Sequence, residues 1–158
     1  MALQAGTHIY TFARFSAAGS REALARAGIK TCRGDFVTNE FDESAAAVDY
    51  VVNSAANIHS KKTEEALRDN VDGLARMMSG YSDAKACLLV SATGCYLGGN
   101  YPWYRCKETD DIVGDMPVSP MYGVSKSIAE GPARVLEMGF ELPTTIARPN
   151  VASNRSGD

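Results

Sequence analysis

Short apolar runs of strand length alternate with longer helix-patterned stretches along most of the chain, and this alternation restricts the fold more than any other feature. His8-Ile9-Tyr10-Thr11-Phe12-Ala13 reads as a strand. Residues 20–27 read as a helix, with Ser20 as its cap and Gly28 as its stop. Ile29-Lys30-Thr31-Cys32-Arg33 reads as a short strand closed by Gly34-Asp35, and Asp49-Tyr50-Val51-Val52-Asn53 as a buried strand. Between Thr63 and Ser82, the residues Ala66, Leu67, Val71, Leu74 and Met78 form one apolar stripe at helical spacing. Ala86-Cys87-Leu88-Leu89-Val90 is the next strand, residues 125–139 the next helix, and Thr144-Thr145-Ile146-Ala147 the last strand. A kink is expected at Gly131-Pro132, where a proline removes a helix hydrogen bond. Strand and helix in strict alternation predict an α/β fold: a mostly parallel sheet with helices on both faces.

The 158 residues suffice for one domain with a core. A net charge of −3 with scattered Lys and Arg gives no footprint for nucleic acid or an anionic membrane. No apolar run approaches the ~20 residues of a spanning helix. Met1-Ala2-Leu3-Gln4-Ala5-Gly6 has no basic-then-apolar signal pattern, and a cytoplasmic protein is expected. Cys32, Cys87, Cys95 and Cys106 lack metal-type spacing and read as reduced thiols. With His8 and His59 the sole histidines, a histidine-rich metal site is not expected. Residues 97–118 form a long polar loop of the kind that serves as a functional lid or stays irregular. Its Tyr101, Trp103 and Tyr104 suit either a substrate cover or a satellite apolar cluster.

The chemistry-bearing stretch is Tyr122-Gly123-Val124-Ser125-Lys126. Four residues apart on a helix, the phenol and the ammonium share one face, one turn apart. Free tyrosine titrates near ~10, and a neighbouring cation favours the phenolate, so the pair can form a proton-transfer group. Upstream, Ser91 and Thr93 end a predicted strand in Ser91-Ala92-Thr93-Gly94-Cys95-Tyr96; downstream stands Arg148-Pro149-Asn150. At the end of the first strand, Arg14 and Ser16 stand where an acid would hold the 2′-hydroxyl of an adenosine ribose. Arg14 and Ser16 suit a 2′-phosphate, which leans the cofactor expectation to NADP over NAD; an ordinary solvated arginine is the alternative.

In order and spacing these segments resemble the extended short-chain dehydrogenase/reductase family, the NAD-dependent epimerases and dehydratases. Ser119-Pro120-Met121-Tyr122-Gly123-Val124-Ser125-Lys126 is similar to the start of that family's active-site helix, and 142–151 to its sixth strand and following loop. Asn53-Ser54-Ala55-Ala56-Asn57 is similar to the turn after the fourth strand, and Asn70-Val71-Asp72-Gly73 to the next helix. The resemblance implies that Tyr122 is the general acid/base and that Lys126 both lowers its pKa and holds the nicotinamide ribose. The family's third catalytic member, a Ser or Thr four residues before the strand-end tyrosine, falls on Ala92; Thr93 is the first substitute and Ser91 the second, unless both only cap backbone groups. Asp35 in Gly34-Asp35-Phe36 matches an adenine-contacting Asp or is a turn Asp satisfying its own loop. Ala55 and Ala56 would let the backbone approach the cofactor, and Asn150 would contact cofactor or substrate.

A glycine-rich phosphate turn after a first strand is absent from these 158 residues. The resemblance therefore starts at the family's second strand and stops soon after the sixth. It implies a single partial NAD(P)-binding domain over residues 1–158, Rossmann-like but lacking the first strand, with the substrate lobe largely absent. A missing central strand leaves open edges, so poor solubility or a homodimer through a sheet edge is expected. The implied activity is reversible hydride transfer on a nucleotide sugar or a similar hydroxylated small molecule. The alternative is a non-catalytic Rossmann-like module acting in partner binding or regulation. A thioester-reductase-like domain shares the Tyr-x-x-x-Lys core, but Glu108-Thr109-Asp110-Asp111 followed by Ser119-Pro120 looks more like the sugar-epimerase group.

Overall fold

A computed structural model describes residues 6–41, 47–96, 106–112 and 120–149. The chain divides into two compact units, residues 1–47 and 48–158.

In the first unit, β1 (Tyr10–Ala13) is followed by α1 (Ser20–Arg26), β2 (Lys30–Asp35) and β3 (Glu40–Phe41). β1 and β2 run parallel in register Tyr10↔Lys30 to Ala13↔Arg33, the outcome of a strand–helix–strand crossover. Ser20 is the first helical residue and not the cap. Gly19, left-handed at φ 75°, holds the cap position, and the Ser20 hydroxyl donates to the Ala17 carbonyl at 2.7 Å. Gly28, at φ 76°, ends the helical segment as its sequence position implies. Gly34-Asp35 does not close the second strand. β2 runs through both residues and pairs antiparallel with β3, Gly34↔Phe41 and Asp35↔Glu40. The Phe12 ring lies across Gly34 and packs on Phe36 with centroids 4.6 Å apart. A Cβ at Gly34 would strike that ring and approach the Glu40 carbonyl oxygen to 2.6 Å. Gly34→Ala should therefore lower stability by about 1–3 kcal/mol, as overpacking does, measurable as a reduced urea midpoint. An unchanged midpoint would refute this close packing.

The second unit holds β4 (Tyr50–Asn53), β5 (Ala86–Val90) and β6 (Thr144–Ala147), all parallel in the order β4-β5-β6. Between β4 and β5 come α2 (Thr63–Leu67), a π-helical turn (Arg68–Asp72) and α3 (Gly73–Gly80). The expected stripe is thus modified. Ala66, Leu74, Met77 and Met78 are buried, but Leu67 and Val71 are only half-buried, and Asn70 takes the buried position beside them. The wider π turn advances the chain by an extra residue and rotates a polar side chain inward. Asn70 is fully bonded there: Oδ1 accepts from the Asn57 amide at 2.7 Å, and Nδ2 donates to the Ser125 hydroxyl at 2.8 Å and the Asn57 carbonyl at 3.2 Å.

α4 (Pro120–Phe140) begins five residues before the sequence signal and continues as one helix through Gly131-Pro132. It packs on the π turn and on α3, with the small Ala129 and Ala133 buried. β5 alternates strictly: Cys87 and Leu89 are buried, Ala86, Leu88 and Val90 half-buried. The fold is α/β and Rossmann-like, with parallel β-α-β connections in each unit. Two three-stranded sheets are present, β1-β2-β3 in the first unit and β4-β5-β6 in the second, and among the described residues β1 and β4 are each paired on one side alone. No helix among the described residues is long and apolar enough to cross a membrane.

Candidate functional site

Three consecutive turns of α4 set Tyr122, Lys126 and Glu130 on one face, at i, i+4 and i+8. This face meets the C-terminal ends of β5 and β6. Lys126 is 3% exposed and donates from Nζ to the Val90 carbonyl at 2.8 Å. One residue further along the same strand end, the Ser91 hydroxyl donates to Glu130 Oε1 at 2.6 Å. Glu130, 2% exposed, is also gripped by Arg148 at the end of β6: Nε to Oε1 at 2.9 Å and Nη2 to Oε2 at 2.7 Å. Such a two-pronged match is what the planar guanidinium provides and an ammonium does not. Arg148 Nη1 reaches the Tyr96 hydroxyl at 2.9 Å, and its guanidinium lies 4.9 Å from the Tyr96 ring centroid.

The electrostatics follow from this geometry. Burial works to push the Glu130 carboxyl up, but hydrogen bonds from Arg148 and Ser91 and the Arg148 charge outweigh it and hold Glu130 below the usual carboxylate range. Arg148 is correspondingly raised, first by its hydrogen bond to Glu130. Burial lowers Lys126, opposed by Cys95 and Glu130. Burial raises the Tyr122 phenol, with Cys95 adding to the shift. The phenol is therefore moved away from ionisation, opposite to the direction that the Tyr-Lys spacing suggests. In this arrangement the Lys126 ammonium is turned to the β5 backbone and does not act to lower the phenol.

Of the hydroxyl candidates, Ser91 is buried and its proton is committed to Glu130, with Cys95 Sγ 3.2 Å away. Thr93 opens a 3-10 turn (Thr93–Cys95), is half-buried, and carries no side-chain hydrogen bond among the described residues. The Tyr122 hydroxyl is likewise uncommitted among them. Ala92 is extended and only precedes the turn. The structure thus brings Tyr122, Lys126, Ser91 and Thr93 to the β5 end of α4 and separates the two hydroxyl candidates by what each is bonded to.

In the first unit, Arg14 Nη1 lies 3.7 Å from Asp35 Oδ2, its side chain 59% exposed. Asp35 Oδ1 accepts from the Val37 amide at 2.8 Å, so this Asp satisfies its own turn while facing Arg14. Ala55 and Ala56 are exposed in the second unit, on the segment after β4, where the Ala55 amide donates to Asn53 Oδ1 at 3.0 Å. His59 is exposed. Asn150 and the loop aromatics Tyr101, Trp103 and Tyr104 lie outside the described residues. All four cysteines are free thiols, three of them buried. Among the described residues no cluster of His, Cys, Asp or Glu has metal-binding form.

Sequence reasoning did not single out Glu130, and took Asn70 and Arg148 only as parts of motifs. Glu130 was findable: an acid at i+4 from Lys126 lies on the same face as the Tyr-Lys pair. Asn70 interrupts an apolar stripe, the mark of a polar residue that has partners to satisfy it.

The family model NAD_binding_4, described as "Male sterility protein", matches residues 22–157. No curated protein is significantly similar to the chain in sequence. Among solved structures it is similar to UDP-glucose 4-epimerase from Thermotoga maritima, crystallised with UDP-glucose, at 21% identity and a TM-score of 0.73 over 93% of this chain and 48% of that one. UDP-glucuronic acid 4-epimerase from Bacillus cereus, in complex with NAD, is similar at 17% identity and a TM-score of 0.75, over 93% and 49%. dTDP-glucose 4,6-dehydratase from Bacillus anthracis, also with NAD, is similar at 18% identity and a TM-score of 0.64, over 93% and 48%. The chain spans about half the length of these structures, and at such identities the likeness establishes the fold. From the sequence match over residues 22–157, the chain belongs to the NAD-binding family described as "Male sterility protein", and it shares its fold with the epimerases and the dehydratase just named.

Proposed function

We propose that this chain supplies the proton-transfer side of an NAD(P)-dependent epimerase/dehydratase-type oxidoreductase acting on a nucleotide sugar or a similar hydroxylated small molecule. The observation that carries the reading is that two hydroxyls are uncommitted among the described residues, that of Thr93, which opens the 3-10 turn, and that of Tyr122, which lies near Cys95 of the same turn, with the buried Lys126 one turn along α4. The bound nicotinamide would accept or deliver the hydride at the carbinol carbon. Tyr122 gives or takes the proton of the substrate oxygen, and Thr93 donates a hydrogen bond to that oxygen as charge develops on it. Lys126 is the group that would turn from the Val90 carbonyl to a ribose hydroxyl; Ala55, Ala56 and Asn150 would approach the cofactor, and Asp35 the adenine.

Arg14 favours NADP over NAD in this reading, because an exposed guanidinium can accept a 2′-phosphate. Arg14→Ala should weaken NADPH binding by roughly tenfold and leave NADH within about twofold, in a nicotinamide-fluorescence titration. Equal losses for both cofactors would refute the assignment. Saturable binding of either cofactor by the wild-type chain is the direct test of the reading as a whole.

One observation favours a second reading, a non-catalytic Rossmann-like module in partner binding or regulation. Ala92 stands where the family resemblance places a catalytic hydroxyl. Absence of NADH and NADPH binding would select it. Under either reading we place the protein in the cytoplasm and expect it to self-associate through β4, whose open edge exposes Tyr50 (69%) and Val52 (64%). Val52→Lys should then shift light scattering toward monomer, and an unaltered mass distribution would count against that edge.

A further inference from the structure

We propose that Glu130 is a positioning residue for the proton-transfer group: its carboxylate fixes the end of β5 on which Lys126 rests, and withdraws Ser91 from any substrate. The inference rests on the functional reading above and adds a residue and a division of labour to it. Two successive turns of α4 are bonded to two successive residues of one strand end. Lys126 Nζ holds the Val90 carbonyl at 2.8 Å, and Glu130 Oε1 holds the Ser91 hydroxyl at 2.6 Å. The carboxylate is itself pinned by Arg148 from the end of β6. Glu130 thus ties the helix that carries Tyr122 and Lys126 to both strand ends at once. Every buried side-chain polar atom of the described residues has a partner, so removing one member of this network leaves another unsatisfied.

Two consequences follow. The Ser91 hydroxyl has one proton, and Glu130 holds it, so Ser91 cannot donate to a substrate oxygen while the carboxylate is ionised; that task falls to Thr93. Lys126 is also set by Glu130. Its surroundings are Tyr122 and Glu130 on its own helix, Cys95 on the 3-10 turn and the Val90 carbonyl of β5, with Arg148 and Arg134 acting on Glu130. Of these, Cys95 and the ionised Glu130 favour the charged ammonium against burial.

The test is ¹⁵N NMR of the Lys126 ammonium in the full chain, followed through its titration and its proton exchange with water. Glu130→Gln is expected to lower the Lys126 midpoint by about one pH unit and to speed ammonium exchange at least severalfold. Glu130→Asp, which restores the charge, should return the midpoint toward wild type. Ser91→Ala cuts the tie to β5 but leaves the ion pair, and should speed exchange while moving the midpoint less. Should Glu130→Gln fail to fold with Arg148 unpaired, the double variant Glu130→Gln/Arg148→Met removes both charges and is read the same way. A residue that merely braced the fold would change the thermal midpoint and leave the Lys126 titration and exchange superimposable on wild type; that result overturns the proposal. The readout needs no turnover. A chain that fails to bind NADH or NADPH but shows the expected Lys126 shift would sink the functional reading while leaving the Glu130 assignment standing.

Discussion

Tyr122→Phe is expected to abolish turnover on any substrate the chain converts. The substitution removes one oxygen, keeps the half-buried ring, and leaves the backbone carbonyl that accepts the Ser125 hydroxyl at 2.9 Å. General acid/base catalysis by a positioned side chain contributes about 10²–10⁴-fold, and among the described residues no other uncommitted phenol lies on this face of α4 to replace it. Cofactor affinity should change little, so kcat falls with the NAD(P)H titration preserved. The upward shift of the phenol gives the pH dependence its sign. At neutral pH the group is protonated and ready to donate, which favours carbonyl reduction. Oxidation needs the phenolate and should rise steadily into the alkaline range. Full activity in Tyr122→Phe, or an oxidation rate that falls as pH rises from neutral, would remove Tyr122 from the mechanism.

Loss of Arg148 should be the most damaging single change to stability. The guanidinium is the sole cationic partner within bonding distance of Glu130 among the described residues, and the two side chains are only 10% and 3% exposed. Arg148→Ala leaves a buried carboxylate with Ser91 alone and also strips the Tyr96 hydroxyl of its donor. Breaking a buried pair in this way costs about 3–5 kcal/mol, against a total stability of roughly 5–15 kcal/mol for a domain. The cost depends on pH. In the wild type Glu130 titrates below its ordinary value, so its contribution is present above the unfolded-state pKa and is lost as pH falls through the lower folded-state one. In Arg148→Ala the stranded carboxylate titrates above its unfolded value, and protonating it relieves the penalty. The gap between the two urea midpoints should therefore be widest near neutral pH and narrow in acid. A gap independent of pH would mean that packing, and not charge, holds this corner together.

Apart from the two-residue β3 (Glu40–Phe41), which the sequence reading left out, the order of strands and helices was legible in the residues, as were the Tyr122–Lys126 pair and the strand endings at Val90 and Ala147. Each is a local property: helical spacing puts i and i+4 on one face, and short apolar runs between helices can bury themselves only as sheet strands. What the sequence left undetermined depends on distant partners. Ser91 and Thr93, two residues apart, were both open as hydroxyl donors, with Thr93 the first choice. Only Glu130, 39 residues from Ser91, separates them by binding one and leaving the other free. The phenol's upward shift has the same origin, because burial and the turn of Lys126 toward Val90 are set by packing. The π turn at Arg68–Asp72 arises from Asn70 meeting Asn57 and Ser125 across the fold. Gly34 reads as the end of a strand in the sequence, and its pairing with Phe41 of β3 carries the strand through it. By itself the sequence determined the parallel strands, the helices between them and which face of α4 carries the Tyr122–Lys126 pair, since periodicity acts within one element. The tertiary structure decided which of those side chains are charged, committed or free, since desolvation and hydrogen bonding are settled only when elements far apart in the chain come into contact.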